Sequence, residues 1–398
     1  MQPNPALLAR WLLALWLCVL ALLAGCGGGG DDATSTPPPS PAPPPGQGTL
    51  VGSQPLPGVP LADLQRAAAG LADQGWTAAP RYAVQSWRLD YLTLDGRNRL
   101  VTASALVSVP VKPAGRPSPV LAYQHATSFY DDEAPTRRVQ ADEAPLLLAS
   151  LGYIVLAPDY VGFGASRGAE HPYLLSAPSA AVVADLLTAA QTWRRSAGVF
   201  DNGQLFVAGY SEGAYVSMAA LGALQAAGRP EAQAVELAVL GAGPYDVGLT
   251  LELQLARVRA ENPALAALFN PNLLRDLGST LRDEVRRLIL RTLVPADATV
   301  GYQPTFLDNF LADDDAAVER DSNVHRWAPR RPLRLFHGGD DRTVPYAVSV
   351  QTLQTQQALG ASDLSLTDCR ATKTDHIGCV PDFFAFVLAQ FGSRARDL

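Results

Sequence analysis

"QLFVAGYSEGAYVSMAALGALQAAG", Gln204 to Gly228, joins an apolar strand-like run to a helix-like run of small residues through Gly209-Tyr210-Ser211-Glu212-Gly213. The five residues match G-x-S-x-G, a pattern that means little alone because glycine and serine are common. Its setting says more. "QLFVA" enters as a buried strand would, and Ala214, Ala219 and Ala220 mark the helix that leaves. A turn this sharp between strand and helix strains the serine backbone, and only glycine-sized neighbours at the two flanking positions avoid a clash. Ser211 is then a candidate nucleophile with its Oγ exposed. The amide of Glu212, at a helix N-terminus, points at developing negative charge and is a candidate oxyanion donor.

Outward from this turn, short apolar runs recur: "PVLAYQH", "GYIVLAPD", "VELAVLGAG" and "LRLFHGG". They are nearly continuous in apolar residues, as strands covered on both faces of a parallel sheet are. Helical stretches separate most of them. These include "ADEAPLLLASL" and "SAPSAAVVADLLTAAQTWRRSAG", for which Ser176 or Ser179 is a candidate N-cap. Upstream, "YAVQSWRLDYLTL" and "LVTASALVSVP" flank "DGRN" and predict an antiparallel hairpin. The alternation predicts an α/β fold. About eighty residues, 248–330, break it with helical patterns between two strands; a structureless loop of that length would be anomalous. They are expected to form a helical cap inserted into a core of residues 51–247 and 331–398. Leu265, Leu268, Phe269, Phe306, Leu307 and Phe310 line the site or, as the better reading, pack a small core within the cap.

A serine hydroxyl needs a base, and the base needs an orienting acid. The chain has five histidines, and only His325, His337 and His376 follow Ser211. His325 falls in the inserted segment and His337 ends a buried strand. His376 lies in a loop after the last strand, "SDLSLTD", and alone leaves room for an acid before it on a separate strand end. "HGGDDRTVP" supplies that acid as Asp340 or Asp341, with Thr343 a candidate cap for the next helix. Asp375 is a poor candidate because adjacent side chains in a loop seldom face each other.

"GYSEG", "HGGDDRTVP" and the terminal "DH" together resemble the α/β-hydrolase superfamily. In its pattern G-x-x-D-x-x-V-P the aspartate falls on Asp341, so the resemblance implies Ser211, Asp341 and His376 as nucleophile, orienter and base. "PDYVGFG" followed by "HPYL" resembles the secretory-lipase-like hydrolases of bacteria and fungi, over approximately Tyr82 to the C-terminus. The expected fold is therefore an α/β-hydrolase, mostly parallel, with an N-terminal antiparallel hairpin. The expected chemistry is hydrolysis of carboxylic esters, with no cofactor. These hydrolases often carry His-Gly after the strand "PVLAYQ"; here Ala126 replaces the glycine, and the second oxyanion amide is that of Ala126 or Thr127. His125 is read as shaping this loop. A peptidase or acyltransferase on the same triad, or an inactive binding protein on the same scaffold, are the alternatives.

Other classes fit poorly. The net charge is −7 with no basic patch, which disfavours nucleic acid as a partner. "GFGASRG" has Arg167 where a dinucleotide fingerprint needs glycine, and no spacing of metal ligands is present.

After Arg10 comes "WLLALWLCVLALLAG", the length of a signal-peptide core and short for a membrane span. It ends in "LLAGC", which resembles a bacterial lipobox and implies lipidation of Cys26 after removal of residues 1–25. Gly27, where many inner-membrane lipoproteins carry aspartate, favours the outer membrane, facing the periplasm or the cell surface. Residues 26–50, rich in glycine and proline, read as a tether. With Cys18 lost and Cys26 lipidated, Cys369 and Cys379 remain, and an exported protein is expected to pair them. Replacing Cys26 by serine is expected to move the protein from the membrane to the soluble fraction; a variant that stays membrane-bound argues against lipidation.

Overall fold

A computed structural model describes residues 46–261, 283, 284, 286, 287, 289–291 and 294–398. The signal sequence, Cys26, the tether up to residue 45, and Leu265, Leu268 and Phe269 lie outside these residues. The described strands are β1 (Leu50–Val59), β2 (Val84–Leu94), β3 (Leu100–Pro110), β4 (Ser118–Gln124), β5 (Ile154–Pro158), β6 (Asp201–Tyr210), β7 (Val235–Gly241), β8 (Leu333–His337) and β9 (Leu364–Asp368). They form one sheet in the order β1-β2-β3-β5-β4-β6-β7-β8-β9. The pairs β1–β2, β2–β3 and β3–β5 are antiparallel, and every later pair is parallel. The chain thus has the α/β-hydrolase arrangement of a mostly parallel sheet with an antiparallel N-terminal edge.

The α-helices whose bounds lie among the described residues are α1 (Leu61–Gly70), α2 (Ala144–Ser150), α3 (Ser176–Ala197), α4 (Glu212–Ala226), α5 (Pro230–Ala234), α6 (Val247–Glu261), α7 (Thr305–Leu311), α8 (Asp315–Asp321), α9 (Tyr346–Ala358) and α10 (Val380–Gly392). The sheet separates two apolar cores. Ile154, Leu156, Leu205 and Val207 face α3 and α4, whereas Val155, Ala157, Phe206 and Ala208 face α1, α2 and α10. Successive residues of one strand feed opposite cores, which is why these strands read as continuous apolar runs.

The hairpin β2–β3 keeps unbroken register from Val84↔Pro110 to Leu94↔Leu100. Asp95 Oδ1 accepts the amides of Arg97 (2.8 Å) and Arg99 (2.9 Å) and closes its turn.

Three local features differ from the sequence expectations. Strand β1 has no counterpart among the sequence expectations; its Pro55 and Pro57 are tolerated because β1 is the edge of the sheet and pairs only with β2. Neither Ser176 nor Ser179 caps α3. Leu175 holds the cap position without a side-chain bond, and Ser176 is already helical. Thr343 does not cap α9, whose cap position is Pro345; the Thr343 amide is taken by Asp341 instead.

Between β7 and β8 the described residues include α6, α7 and α8. Phe306 and Leu307 are buried in the same core as α3 and α4, and Phe310 packs against it, so these side chains extend the main core rather than building a separate one.

Between β9 and α10, a disulfide joins Cys369 to Cys379. Its sulfurs lie among Phe336, Phe383 and Val387 on the α10 side of the sheet. It closes a loop whose ends are 10 residues apart, for which chain entropy gives a stabilisation of roughly 2–3 kcal/mol. Cys369→Ser/Cys379→Ser is expected to lower the unfolding free energy in urea by about that amount; an unchanged unfolding curve would show that the bridge contributes no stability.

Candidate active site

Ser211 stands between β6 and α4 with φ 56° and ψ −121°, a conformation that costs a non-glycine residue on the order of 1–3 kcal/mol. The surroundings hold it there. Its amide donates to the Gly241 carbonyl at the end of β7 (2.8 Å). A methyl group on Gly209 would overlap the backbone of Gly213, and one on Gly213 would overlap the carbonyls of Gln124 and His125 at the end of β4. The two glycines therefore let three backbones meet around one serine.

The loop after β9 brings His376 to this point. Its Nε2 lies 2.9 Å from Ser211 Oγ, and its Nδ1 lies 2.6 Å from Asp341 Oδ2. A carboxylate only accepts, so Nδ1 carries the proton and Nε2 is free to accept from the serine hydroxyl. Tyr210, immediately before Ser211, donates its hydroxyl to the His376 carbonyl (2.7 Å), and the two rings pack with centroids 5.3 Å apart. Sequence reasoning passed over Tyr210 because nothing local distinguishes it from another core aromatic.

Asp341 is buried after β8. Its Oδ1 accepts the amides of Thr343 (2.8 Å) and Val344 (2.9 Å). Its Oδ2 accepts from His376 and also faces His337 Nε2 at 3.2 Å. Burial pushes the carboxyl up, but hydrogen bonds from His337 and His376, and the positive charge those rings carry when protonated, hold it well below the usual carboxylate range. Asp340 instead accepts the Thr374 hydroxyl at the surface (2.5 Å), and Asp375 accepts the Gly378 amide (2.7 Å). Of Asp340, Asp341 and Asp375, Asp341 alone faces His376.

The remaining histidines are placed elsewhere. His337 is fully buried, with Nδ1 2.7 Å from Ser349 Oγ and Nε2 2.9 Å from the Val344 carbonyl. Its link to Asp341 depends on how the "GGDD" turn folds back, which no local pattern in the sequence specifies. His325 is buried against Asp246, Nε2 to Oδ2 3.5 Å. His125 stacks on Tyr160 with centroids 4.1 Å apart, and burial lowers its pKa.

The loop with Ala126 and Thr127 abuts the elbow, since Gln124 and His125 are the neighbours of Gly213. Among the described residues, the amides of Ala126, Thr127 and Glu212 donate no hydrogen bond. The Glu212 side chain is buried and meets His171 Nε2 at 2.6 Å, a contact across distant segments that sequence reasoning did not find. No group of three or more potential metal-ligating side chains converges among the described residues.

The family model described as serine aminopeptidase, S33, matches residues 142–368, more than half of the chain. The chain belongs to this family. It is a hydrolase of the α/β-hydrolase superfamily. Its fold is similar to that of a Legionella pneumophila protein described as a hydrolase (22% identity, TM-score 0.68, covering 86% of this chain and 97% of that one). It is similar to the rice cell wall degrading esterase LipA from Xanthomonas oryzae (21% identity, TM-score 0.68, covering 88% and 100%). It is also similar to Candida antarctica lipase A (17% identity, TM-score 0.53, covering 89% and 84%). At these identities the likeness establishes the fold. No curated protein matches the chain.

For this family member, His337→Phe is expected to leave the Ser349 hydroxyl and Val344 carbonyl without their partner and to cost about 1–3 kcal/mol in urea unfolding at pH 7. The Asp341 value is depressed by folding. Its contribution is therefore complete above the unfolded carboxylate value of about 3.9 and fades as pH falls through the lower folded value. With one donor gone the fading begins at higher pH, so acid unfolding of the variant should have a higher midpoint. Coincident acid-unfolding curves would contradict this account.

Proposed function

We propose that the protein hydrolyses carboxylic esters through an acyl-enzyme on Ser211. The reading is carried by the hydrogen-bonded series Asp341–His376–Ser211, with contacts of 2.6 and 2.9 Å, ending at a serine in a strained elbow. In the first half-reaction, Ser211 Oγ bonds to the ester carbonyl carbon while its proton passes to His376 Nε2. The Glu212 amide, with that of Ala126 or Thr127, receives the oxyanion. The bond from carbon to the alkoxy oxygen then breaks, and His376 returns the proton to the departing alcohol. In the second half-reaction water attacks the acyl-enzyme by the same route, releasing the acid and regenerating Ser211. Asp341 holds the imidazole in the tautomer this requires and stays ionised.

The choice of ester is supported by the secretory-lipase-like resemblance and by the neighbours of the same fold, an esterase and a lipase. The family description favours a second reading, an aminopeptidase on the same triad. Such an enzyme must hold a substrate ammonium beside the scissile bond, and the acidic residues flanking the triad are committed elsewhere: Glu212 to His171, Asp340 to Thr374, Asp375 to Gly378.

We extend the proposal to the rest of the chain. Residues 248–330 act as a cap at the end of the sheet that bears Ser211. Cys26 carries lipid, and the Gly/Pro-rich segment holds the enzyme away from an outer-membrane surface. Among the described residues no helix is long and apolar enough to cross a membrane.

Wild-type protein should react stoichiometrically with a fluorophosphonate and Ser211→Ala should not. It should cleave p-nitrophenyl esters in preference to amino-acid p-nitroanilides. Equal labelling of the two proteins would remove Ser211 as the nucleophile; faster cleavage of the anilides would transfer the assignment to the aminopeptidase reading.

A further inference from the structure

The residue after the nucleophile carries a carboxylate for which the acyl-transfer steps have no use. Glu212 is 2% exposed, and its Oε1 lies 2.6 Å from Nε2 of His171, itself 4% exposed. The other ring nitrogen, Nδ1, lies 2.8 Å from the Val161 carbonyl oxygen. A carbonyl only accepts, so Nδ1 is a donor, and the Nε2···Oε1 contact shares one further proton. The pair has no net charge whichever atom holds that proton. A bare carboxylate here would oppose the negative charge that the amide of the same residue is placed to receive.

His171 is also the point where three segments meet. Its amide donates to the Gly301 carbonyl (2.7 Å), and its carbonyl accepts the Gln303 amide (2.9 Å), which seats Tyr302 beside it. The Tyr302 ring meets the imidazole edge-on at 5.2 Å, and the Tyr160 ring stacks at 5.9 Å. Both tyrosines then reach the loop that bears Ala126 and Thr127. Tyr160 donates its hydroxyl to the His125 carbonyl (3.0 Å), and Tyr302 donates to the Ser128 carbonyl. The loop is thus held at the residue before and the residue after its two candidate oxyanion amides, by two rings that rest on the imidazole bonded to Glu212.

We infer that His171 is a positioning residue for the oxyanion site: through Glu212 on one side and through Tyr160 and Tyr302 on the other, it sets the distance between the Glu212 amide and the Ala126–Thr127 loop. The inference rests on the reading that Ser211 is the nucleophile. A distance between two donors matters most when a tetrahedral oxyanion occupies it, so its loss falls on the transition state rather than on ground-state binding.

The test is hydrolysis of p-nitrophenyl butyrate by His171→Phe, Glu212→Ala and Glu212→Gln, together with inhibition by an alkyl trifluoromethyl ketone, which forms a tetrahedral adduct on serine. His171→Phe and Glu212→Ala are expected to lose about 100-fold in kcat, with KM changed by less than about threefold. The ketone should weaken in parallel with kcat. Glutamine can donate to the Nε2 of a neutral imidazole, so Glu212→Gln should recover about tenfold or more of the kcat lost in Glu212→Ala. Fluorophosphonate labelling of each variant separates the two levels of the argument. If wild type does not label at Ser211, the underlying reading fails. If the variants label to completion yet keep kcat and ketone affinity near wild type, or lose KM instead of kcat, the positioning role is wrong while the nucleophile stands. Should His171→Phe fail to fold, the comparison of Glu212→Ala with Glu212→Gln decides alone, and equal kcat in the two overturns the inference.

Discussion

The close approach of three backbones around Ser211 is the constraint on which the rest of the site depends. Strand β6 must end against β7, so that the Ser211 amide reaches the Gly241 carbonyl. Helix α4 must begin against the end of β4, where only glycine fits at residue 213. The strain at Ser211 is tolerable because sheet and helix are both deeply buried and over-determine the turn. Once the turn exists, the serine hydroxyl, the helix N-terminus and the β4 loop share one locality.

The acid and the histidine reach that locality by different means. Asp341 is gathered by four N–H groups, two from its own turn and two from imidazoles, so its position is set by hydrogen bonding. His376 sits in a loop with little apolar content, and it is held from behind. Tyr210 takes its carbonyl, and the disulfide ties the loop ends to the core that contains Phe383. The residues flanking Ser211 therefore do double duty: Tyr210 anchors the histidine loop, and Glu212 anchors the helix start through His171.

Much of the fold was legible because its signals are local. The continuous apolar runs of β4 to β8 mark strands covered on both faces, and the elbow is written in five adjacent residues. What escaped was local chemistry overridden by position. Pro55 and Pro57 argue against a strand until the strand is known to be an edge. Ser176 and Thr343 look like caps, yet the helix starts earlier in one case and later in the other, because Asp341 draws in the turn that holds Thr343. Leu307 looks like part of a cap interior, yet it belongs to the main core because the segment folds down onto α3 and α4.

By itself, the sequence determined the hairpin, the central alternation of strands and helices, the elbow and the candidate roles of Ser211 and His376, since sterics and hydrophobic periodicity act between near neighbours in the chain; Asp341 followed from the family pattern. Only the tertiary structure decided that His337 shares the Asp341 carboxylate, that Tyr210 anchors the histidine loop, and that His171 meets Glu212. A buried polar group must find a partner, but its identity is chosen by where distant loops come to rest, and no spacing along the chain encodes that meeting.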